Sequence, residues 1–392
     1  MHRIFHTFSK SCLLLTVLTL AALISGCAPA KSTQQRKAIF FPPAPDPPRI
    51  EFLTGFAKSS DIEEKKSALS LLSLGSDQQG PEVIRTLTKP YGIAAYQSRI
   101  YVADTITGHL SVIDLEQKTF RHLPGNEGPG RLQKPVNLAV DDEGNLYVAD
   151  TKRLEVLIYD AAGDYVASVG RMLDIKPVDV AVDKDFLYIL DLSHSDIKVL
   201  DRKTFKHLDT IGRNSENPAE NLSLPTNMAI DDNGVLYVAN VTSSKVIKLD
   251  RDGHFLGSFG KRGTGLGQFG RPRGISVDSA GRLFAIDVEH QNAQIFDTNG
   301  RLLMFFGEPA SKLPTGTMNI PADIFVHREA LDFYQQFASP GFTLEEVILV
   351  TNQVGNEKVA IYGLGRMEGV DYEKYVEETE SLRKKKAEKN KK

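Results

Sequence analysis

The sequence predicts an all-β fold, a six-bladed β-propeller of four-stranded antiparallel blades, and three observations carry that expectation. A proline followed by a short strand recurs at Pro90, Pro135, Pro177, Pro225, Pro272 and Pro321, at intervals of 45, 42, 48, 47 and 49 residues, the period of propeller blades. Each unit then repeats an apolar strand at a similar offset: Tyr101-Val102-Ala103-Asp104, Tyr147-Val148-Ala149-Asp150, Tyr188-Ile189-Leu190-Asp191, Tyr237-Val238-Ala239-Asn240, Phe284-Ala285-Ile286-Asp287 and Ile348-Leu349-Val350-Thr351-Asn352. Within one period, residues 224–260 read as four strands: Met228–Ile230, Val235–Asn240, Lys245–Leu249 and His254–Phe259. Asp231-Asp232-Asn233-Gly234 and Asp250-Arg251-Asp252-Gly253 supply the turns, with Asp to bond the backbone and Gly to turn it. One such sheet cannot bury both faces, so it needs like neighbours. A β-sandwich would show no such period.

The repeated pattern is similar to NHL repeats: Pro-x-Gly-Ile-x-Val-Asp, then Gly-x-Leu-Tyr-Val-Ala-Asp, then Asp-x-x-Gly and a closing Phe-Gly. Gly267-Gln268-Phe269-Gly270-Arg271-Pro272 looks like the inter-blade junction of that family. The resemblance runs from about Pro90 to Gly363 and implies the propeller. It implies no single function, since NHL propellers include protein-binding and RNA-binding modules, a zinc-dependent amidating lyase and extracytoplasmic sensor domains.

The chain has 392 residues, 41% of them apolar and 25% charged, enough for a propeller-sized core. A formal charge of −3 gives no general reason to expect nucleic acid as a partner. At the N-terminus, His2, Arg3 and Lys10 precede an apolar run from Leu13 to Ile24, too short and wrongly flanked for a stable membrane span. It ends in Leu23-Ile24-Ser25-Gly26-Cys27, which resembles a bacterial lipobox and implies removal of the signal peptide and lipid attachment at Cys27. An ordinary signal peptide with a chance cysteine is the alternative. Several acyl chains on one cysteine suffice for stable anchoring, and Ala28 in place of Asp, by resemblance to other lipoproteins, implies the outer membrane. With Cys12 removed and Cys27 lipidated, the folded part has no disulfide, thiol nucleophile or cysteine metal site.

Residues 28–48 are expected to form a tether, with Phe41-Pro42-Pro43-Ala44-Pro45-Asp46-Pro47-Pro48 as an extended spacer or a ligand for a proline-recognition domain. Residues 49–365 form the propeller. Arg49 to Phe56 is a lone strand with no blade before it, whereas the last blade runs out after its third strand, Lys358 to Tyr362. The N-terminal strand therefore supplies the missing outer strand of blade six and removes an exposed edge. Ser60 to Leu74 reads as a helix with capping-box spacing between Ser60 and Glu63, packed across one end of the ring or offered to a partner. Residues 214–224 are a surface loop. Blade six carries an insertion between Val326 and Glu345 with a helix around Ala330 to Phe337, whose Phe333, Tyr334 and Phe337 either pack or form a contact patch. Residues 366–392 are a charged tail, helical from Asp371, whose Lys-rich end is solvated or touches an anionic surface.

The position two after each blade proline falls near one mouth of the central channel and reads Gly92, Asn137, Asp179, Asn227, Gly274 and Asp323. Carboxylate and amide oxygens converging there suit a hard cation such as Ca²⁺. The set resembles the Asn/Asp/Glu calcium site of lactonase-type propellers; strand capping or ordered water is the plain alternative. His109, His194 and His290 fall in loops between second and third strands, and only His327 lies on a first strand, too few inward ligands for the zinc of the NHL lyase. No Ser-His-Asp order is visible. The Asp-rich turns lack the remaining ligands of an EF-hand, and Gly263-Thr264-Gly265-Leu266-Gly267 lacks the Lys-Ser/Thr ending of a phosphate loop. Lys261, Arg262, Arg271 and Arg273 form a local basic patch.

These readings lead to an expected function: a lipid-anchored, monomeric propeller of the cell envelope that binds a protein or polymer without chemistry. The alternative is a Ca²⁺-dependent lyase or lactonase with its ion on Asn137, Asp179, Asn227 and Asp323.

Overall fold

The computed structural model describes residues 38–64, 83–213, 217, 220–309, 315–377, 379 and 381. Cys27 and the lipobox, most of the expected helix 60–74, part of the loop 214–224 and the Lys-rich end of the tail lie outside them.

Six antiparallel sheets form the ring. In blades one to five, four consecutive strands pair in order; blade two, for example, is Pro135–Val140, Leu146–Asp150, Glu155–Tyr159 and Tyr165–Val169. The first strands pack side by side around the axis, that of blade six against that of blade one. The second strands are apolar without interruption because a blade buries both faces. The core accordingly divides into six clusters, one in each gap between blades. Leu138, Val148 and Leu157 of blade two, for instance, meet Tyr101 and Leu110 of blade one.

The repeated polar residues have specific tasks. Asp141 at the first turn of blade two accepts N–H bonds from Glu143 (3.0 Å) and Asn145 (2.8 Å) and the Tyr147 hydroxyl bond at 3.1 Å. Tyr188 and Tyr237 reach Asp183 and Asp231 in the same way, each at 3.3 Å. The Asp ending the second strand is a clamp. Asp150 accepts from Gln133 and Lys134 in the preceding connection (2.6 and 2.9 Å) and from Lys152 and Arg153 in its own loop (3.0 and 2.9 Å). Four backbone donors thereby find a partner next to a fully buried carboxylate.

Blade six closes as expected. Its order is Phe40–Phe41, Ile50–Phe56, Val359–Met367, Phe342–Asn352 and Pro321–His327, so the N-terminal strand is indeed the outer partner of the third strand. That third strand runs to Met367, beyond the expected Tyr362 and past residue 365, because Phe342–Asn352 is long enough to pair with all of it.

The Pro-rich stretch differs from the extended spacer expected of it. Phe40 and Phe41 pair with Glu51 and Ile50 as a fifth strand, and the prolines between them form a turn in which Asp46 N–H donates to the Pro43 carbonyl at 3.3 Å. Apolar burial wins here: Phe41 sits against Phe306 and Tyr362. The start of the tail, helical over 372–377 as expected, docks on that turn. The Tyr372 hydroxyl donates to the Pro48 carbonyl (2.6 Å), the Tyr375 hydroxyl meets Asp46 Oδ1 (2.7 Å), and Arg49 stacks over Tyr372 at 4.8 Å.

Of the expected helix from Ser60, the described part is a single 3-10 turn, Ser59–Asp61, with Asp61 rather than Glu63 accepting the N–H bonds of Ala57 and Lys58 (2.9 and 3.1 Å). The insertion in blade six holds one helical turn, Leu331–Gln335. Its Tyr334 is buried while Phe337 is 37% exposed, so packing accounts for most of that aromatic group.

Candidate functional site

Each blade begins at one end of the channel, here the upper face, where the loops between second and third strands and the inter-blade connections also lie. The two hairpin turns of each blade lie on the lower face. At the upper mouth every first strand carries a register shift just after its proline, as between Pro177 and Asp179 or Pro321 and Ile324. Such bulges re-aim side chains. They bring the residue two after the proline against the next blade.

Asn137, Asp179, Asn227 and Asp323 are all buried, at 1, 5, 1 and 8% exposure, as are Gly92 and Gly274. The structure thus places the six predicted residues on one ring, but it makes them a girdle of hydrogen bonds. Asn137 Nδ2 donates to the Val178 carbonyl of blade three (2.9 Å), and Asp179 Oδ2 accepts from Met228 N–H of blade four (2.7 Å). Asn227 Nδ2 reaches past blade five to Asp323 Oδ1 (3.2 Å), and Asp323 Oδ2 accepts from Ile93 N–H of blade one (3.1 Å). Val180 N–H takes the other oxygen of Asp179 (2.8 Å). The glycines make room: a Cβ on Gly92 would lie 2.6 Å from the Cα of Asn137, and one on Gly274 would lie 2.4 Å from that of Asp323. Only glycine fits beside a neighbour leaning in that closely.

Below the ring lies a cavity of about 250 Å³, walled by aliphatic residues such as Ile93, Leu138, Val180 and Ile275, with Asp179 and Asp323 at its edge. Burial, then the charge of Asp323, pushes the Asp179 carboxyl well above the usual range; burial raises Asp323 to about 7. Two carboxyls in so dry a place favour protonation over charge.

Half-buried Arg273 extends beside the ring, its guanidinium 5.1 Å from the centre of the Tyr91 ring. Four buried polar atoms at this mouth have no hydrogen-bond partner among the described residues: Asn137 Oδ1, Thr226 Oγ1, Asn227 Oδ1 and Arg273 Nη1. They offer three acceptors and one donor to a polar visitor. For a hard divalent cation the fit is poor. Every carboxylate oxygen of the ring already takes a donor, so only the two neutral amide oxygens are left.

The histidines do not converge. His194 and His290 each hold Nδ1 near a clamp carboxylate, Asp191 (2.6 Å) and Asp287 (3.0 Å), while His109 opens a third strand and stacks on His122 at 4.3 Å. His327 sits at the lower end of its strand against Phe325 and Tyr334, and burial pushes it down to about 4. Asp191, His194 and Asp196 cluster, as do Asp250, Asp252 and His254. In each cluster the leading Asp is spent on backbone N–H groups, two of them from its own turn in Asp250. The glycine loop 263–267 is held by side-chain amides, Gln268 and Gln294 accepting from Gly265 and Gly267 (both 3.0 Å).

Sequence reasoning missed several features. A cleft of about 520 Å³ lies on the upper face between blades one and two, with Arg131, Lys152 and His109 in its lining. A network at the lower face, with both carboxylates buried, joins Arg282 to Asp278 and Glu346, and Arg328 to Glu346. A signal for the second existed: blade five has Phe284 where blades two to four have the turn-binding Tyr, so Arg282 takes the vacant role at Asp278.

No family model matches the chain. Human NHL repeat-containing protein 3 is 32% identical over 76 residues, 19% of this chain and 22% of the human protein, so the match spans under a quarter of that relative. Among solved structures, a gluconolactonase from Xanthomonas campestris superposes with a TM-score of 0.52 at 17% identity, over 81% of this chain and 95% of that one. A catalytically inactive virginiamycin B lyase from Staphylococcus aureus, with quinupristin, gives 0.50 at 14% identity, over 71% and 96%. At such identities the likeness is one of fold. The chain is a six-bladed β-propeller with weak homology to NHL-repeat proteins.

Proposed function

We propose that this chain is a non-catalytic binding module of the bacterial cell envelope, anchored in the outer membrane through lipid on Cys27, that holds a protein or polymer on its upper face. One observation carries the reading. Seven large apolar side chains are exposed on the loops of the upper face: Ile106, Leu154, Met172, Leu224, Leu266, Ile320 and Val354. Among the described residues of the lower side, Phe337 and, on the docked tail, Val376 are comparable. Apolar groups gathered on one face favour contact with a partner, and the girdle at the channel mouth is spent on structure. The test is site-specific photo-crosslinking in the envelope from Leu154 and from Phe337. Adducts from Leu154 only support the reading; adducts from Phe337 only, or from neither, reject it.

The second reading, a Ca²⁺-dependent lyase or lactonase, has only the unpartnered Asn137 and Asn227 oxygens in its favour, against carboxylates already taken by donors. It requires a stoichiometric ion and a calcium-dependent rise in melting temperature, both lost in Asp179→Ala. A melting curve indifferent to calcium eliminates it.

A further inference from the structure

The residue just before each blade proline stands one step outside the channel mouth, and it alternates with the clamp. Where the second strand ends in Asp, that residue is a cation: Lys89, Lys134, Lys176 and Arg271 beside Asp104, Asp150, Asp191 and Asp287. Each donates its backbone N–H to the buried carboxylate, at 2.9, 2.9, 2.8 and 3.1 Å. Where the strand ends in Asn, the residue is aliphatic. Asn240 and Asn352 instead accept from Ser223 and Asn319, one position earlier (2.7 and 2.9 Å), and Leu224 and Ile320 turn into the left-handed region at φ 54° and 51°.

All six side chains are exposed, and none of the four cations has a side-chain partner among the described residues. Some arginines elsewhere are paired, as Arg153 is with Glu155 and Arg328 with Glu346. The clamps therefore fix the backbone of four cations without a direct ion pair around one mouth, with Leu224 and Ile320 between them and Ile106 and Leu154 on the adjoining loops. A cationic ring attracts anions. The interleaved aliphatic groups would gain nothing from a uniformly hydrophilic polysaccharide, whereas a peptide with acidic and apolar side chains satisfies both.

We propose that the upper face is a docking platform for an acidic, apolar-containing segment of a partner protein. The inference rests on the binding-module reading and names the chemistry of its ligand.

The test measures fluorescence anisotropy of a labelled peptide alternating Glu and Leu, with poly-L-glutamate and polygalacturonate as competitors. The intact propeller is compared with a variant carrying Lys89→Glu, Lys134→Glu, Lys176→Glu and Arg271→Glu, and with Ile106→Ser/Leu154→Ser. The expected result is salt-sensitive binding of the peptide, at least ~10-fold weaker after charge reversal and a few-fold weaker in the serine variant. Poly-L-glutamate should compete less well, and polygalacturonate least. Circular dichroism and melting verify folding; if charge reversal unfolds the ring, the same four positions as Gln replace it. No binding, binding unchanged by the charge variant, or polygalacturonate competing best without regard to Ile106 and Leu154, each overturns the proposal. Leu154 adducts that survive charge reversal in the envelope would leave the binding module standing and remove the acidic ligand. Peptide binding lost on charge reversal, without Leu154 adducts, would do the opposite.

Discussion

Replacing Asp323 with Asn should flatten the pH dependence of stability. In the folded chain this carboxyl titrates near 7, against 3.8 for an ordinary Asp, chiefly because burial penalises its charge. Below about pH 4 the carboxyl is protonated in both states, and its contribution to stability is fully present. As pH rises towards 7 the unfolded chain ionises freely, whereas the fold must keep the proton or carry a buried charge, so stability is lost. A difference of about three pH units corresponds to ~4 kcal/mol between pH 4 and pH 8. For a domain of this size that is on the order of 5–10 °C in Tm. Asp179 moves in the same direction and adds to the slope, partly because of Asp323 itself. An Asn at 323 keeps an oxygen for Ile93 N–H. Its new amide can donate to Asn227, whose Oδ1 has no partner among the described residues, once that amide turns over. The variant should melt close to the wild type at pH 4 and several degrees above it at pH 8. Thermal melts monitored by circular dichroism from pH 4 to pH 8, in buffers free of divalent ions, measure this. Parallel curves for the two proteins would show that Asp323 holds no proton and that the ring tolerates its charge.

Two further outcomes follow from the clamps and the closure. Asp150→Ala strands four backbone N–H donors and should cost about 3–5 kcal/mol in urea unfolding. Asp150→Asn should cost less than Ala; equal stability of Ala and wild type would refute the clamp. A chain starting at residue 57 loses the buried Ile50, Phe52, Leu53 and Phe56, roughly 6–12 kcal/mol of apolar burial, as much as a whole domain's stability. It should not melt cooperatively until a synthetic peptide of residues 38–56 is added. A cooperative, monomeric 57–392 chain would show that the outer strand is dispensable.

The propeller was legible because each blade repeats a local pattern. Tyr147 and Asp141, or Asp150 and the connection it clamps, lie within one repeat, so sequence spacing reports their structure directly. The Pro-rich stretch was misjudged for the opposite reason. Phe41 is buried by Phe306 and Tyr362, and Pro48 is capped by Tyr372, residues hundreds of positions away. Helix signals at Ser60 compete with such distant packing as well, and in the described part a 3-10 turn prevails.

The site divides along the same line. Period and alternation determined which six residues meet at the channel mouth and that the chain closes on its own N-terminal strand. Only the tertiary structure decided what the ring does. Whether an inward Asp binds a metal or a neighbour's N–H depends on the bulge and on the blade beside it, and here the glycines of blades one and five let the girdle close on itself. Likewise, the lysines before the prolines look like ordinary surface charge in the sequence. They become a ring because six strand starts converge on one axis, which no local pattern can encode.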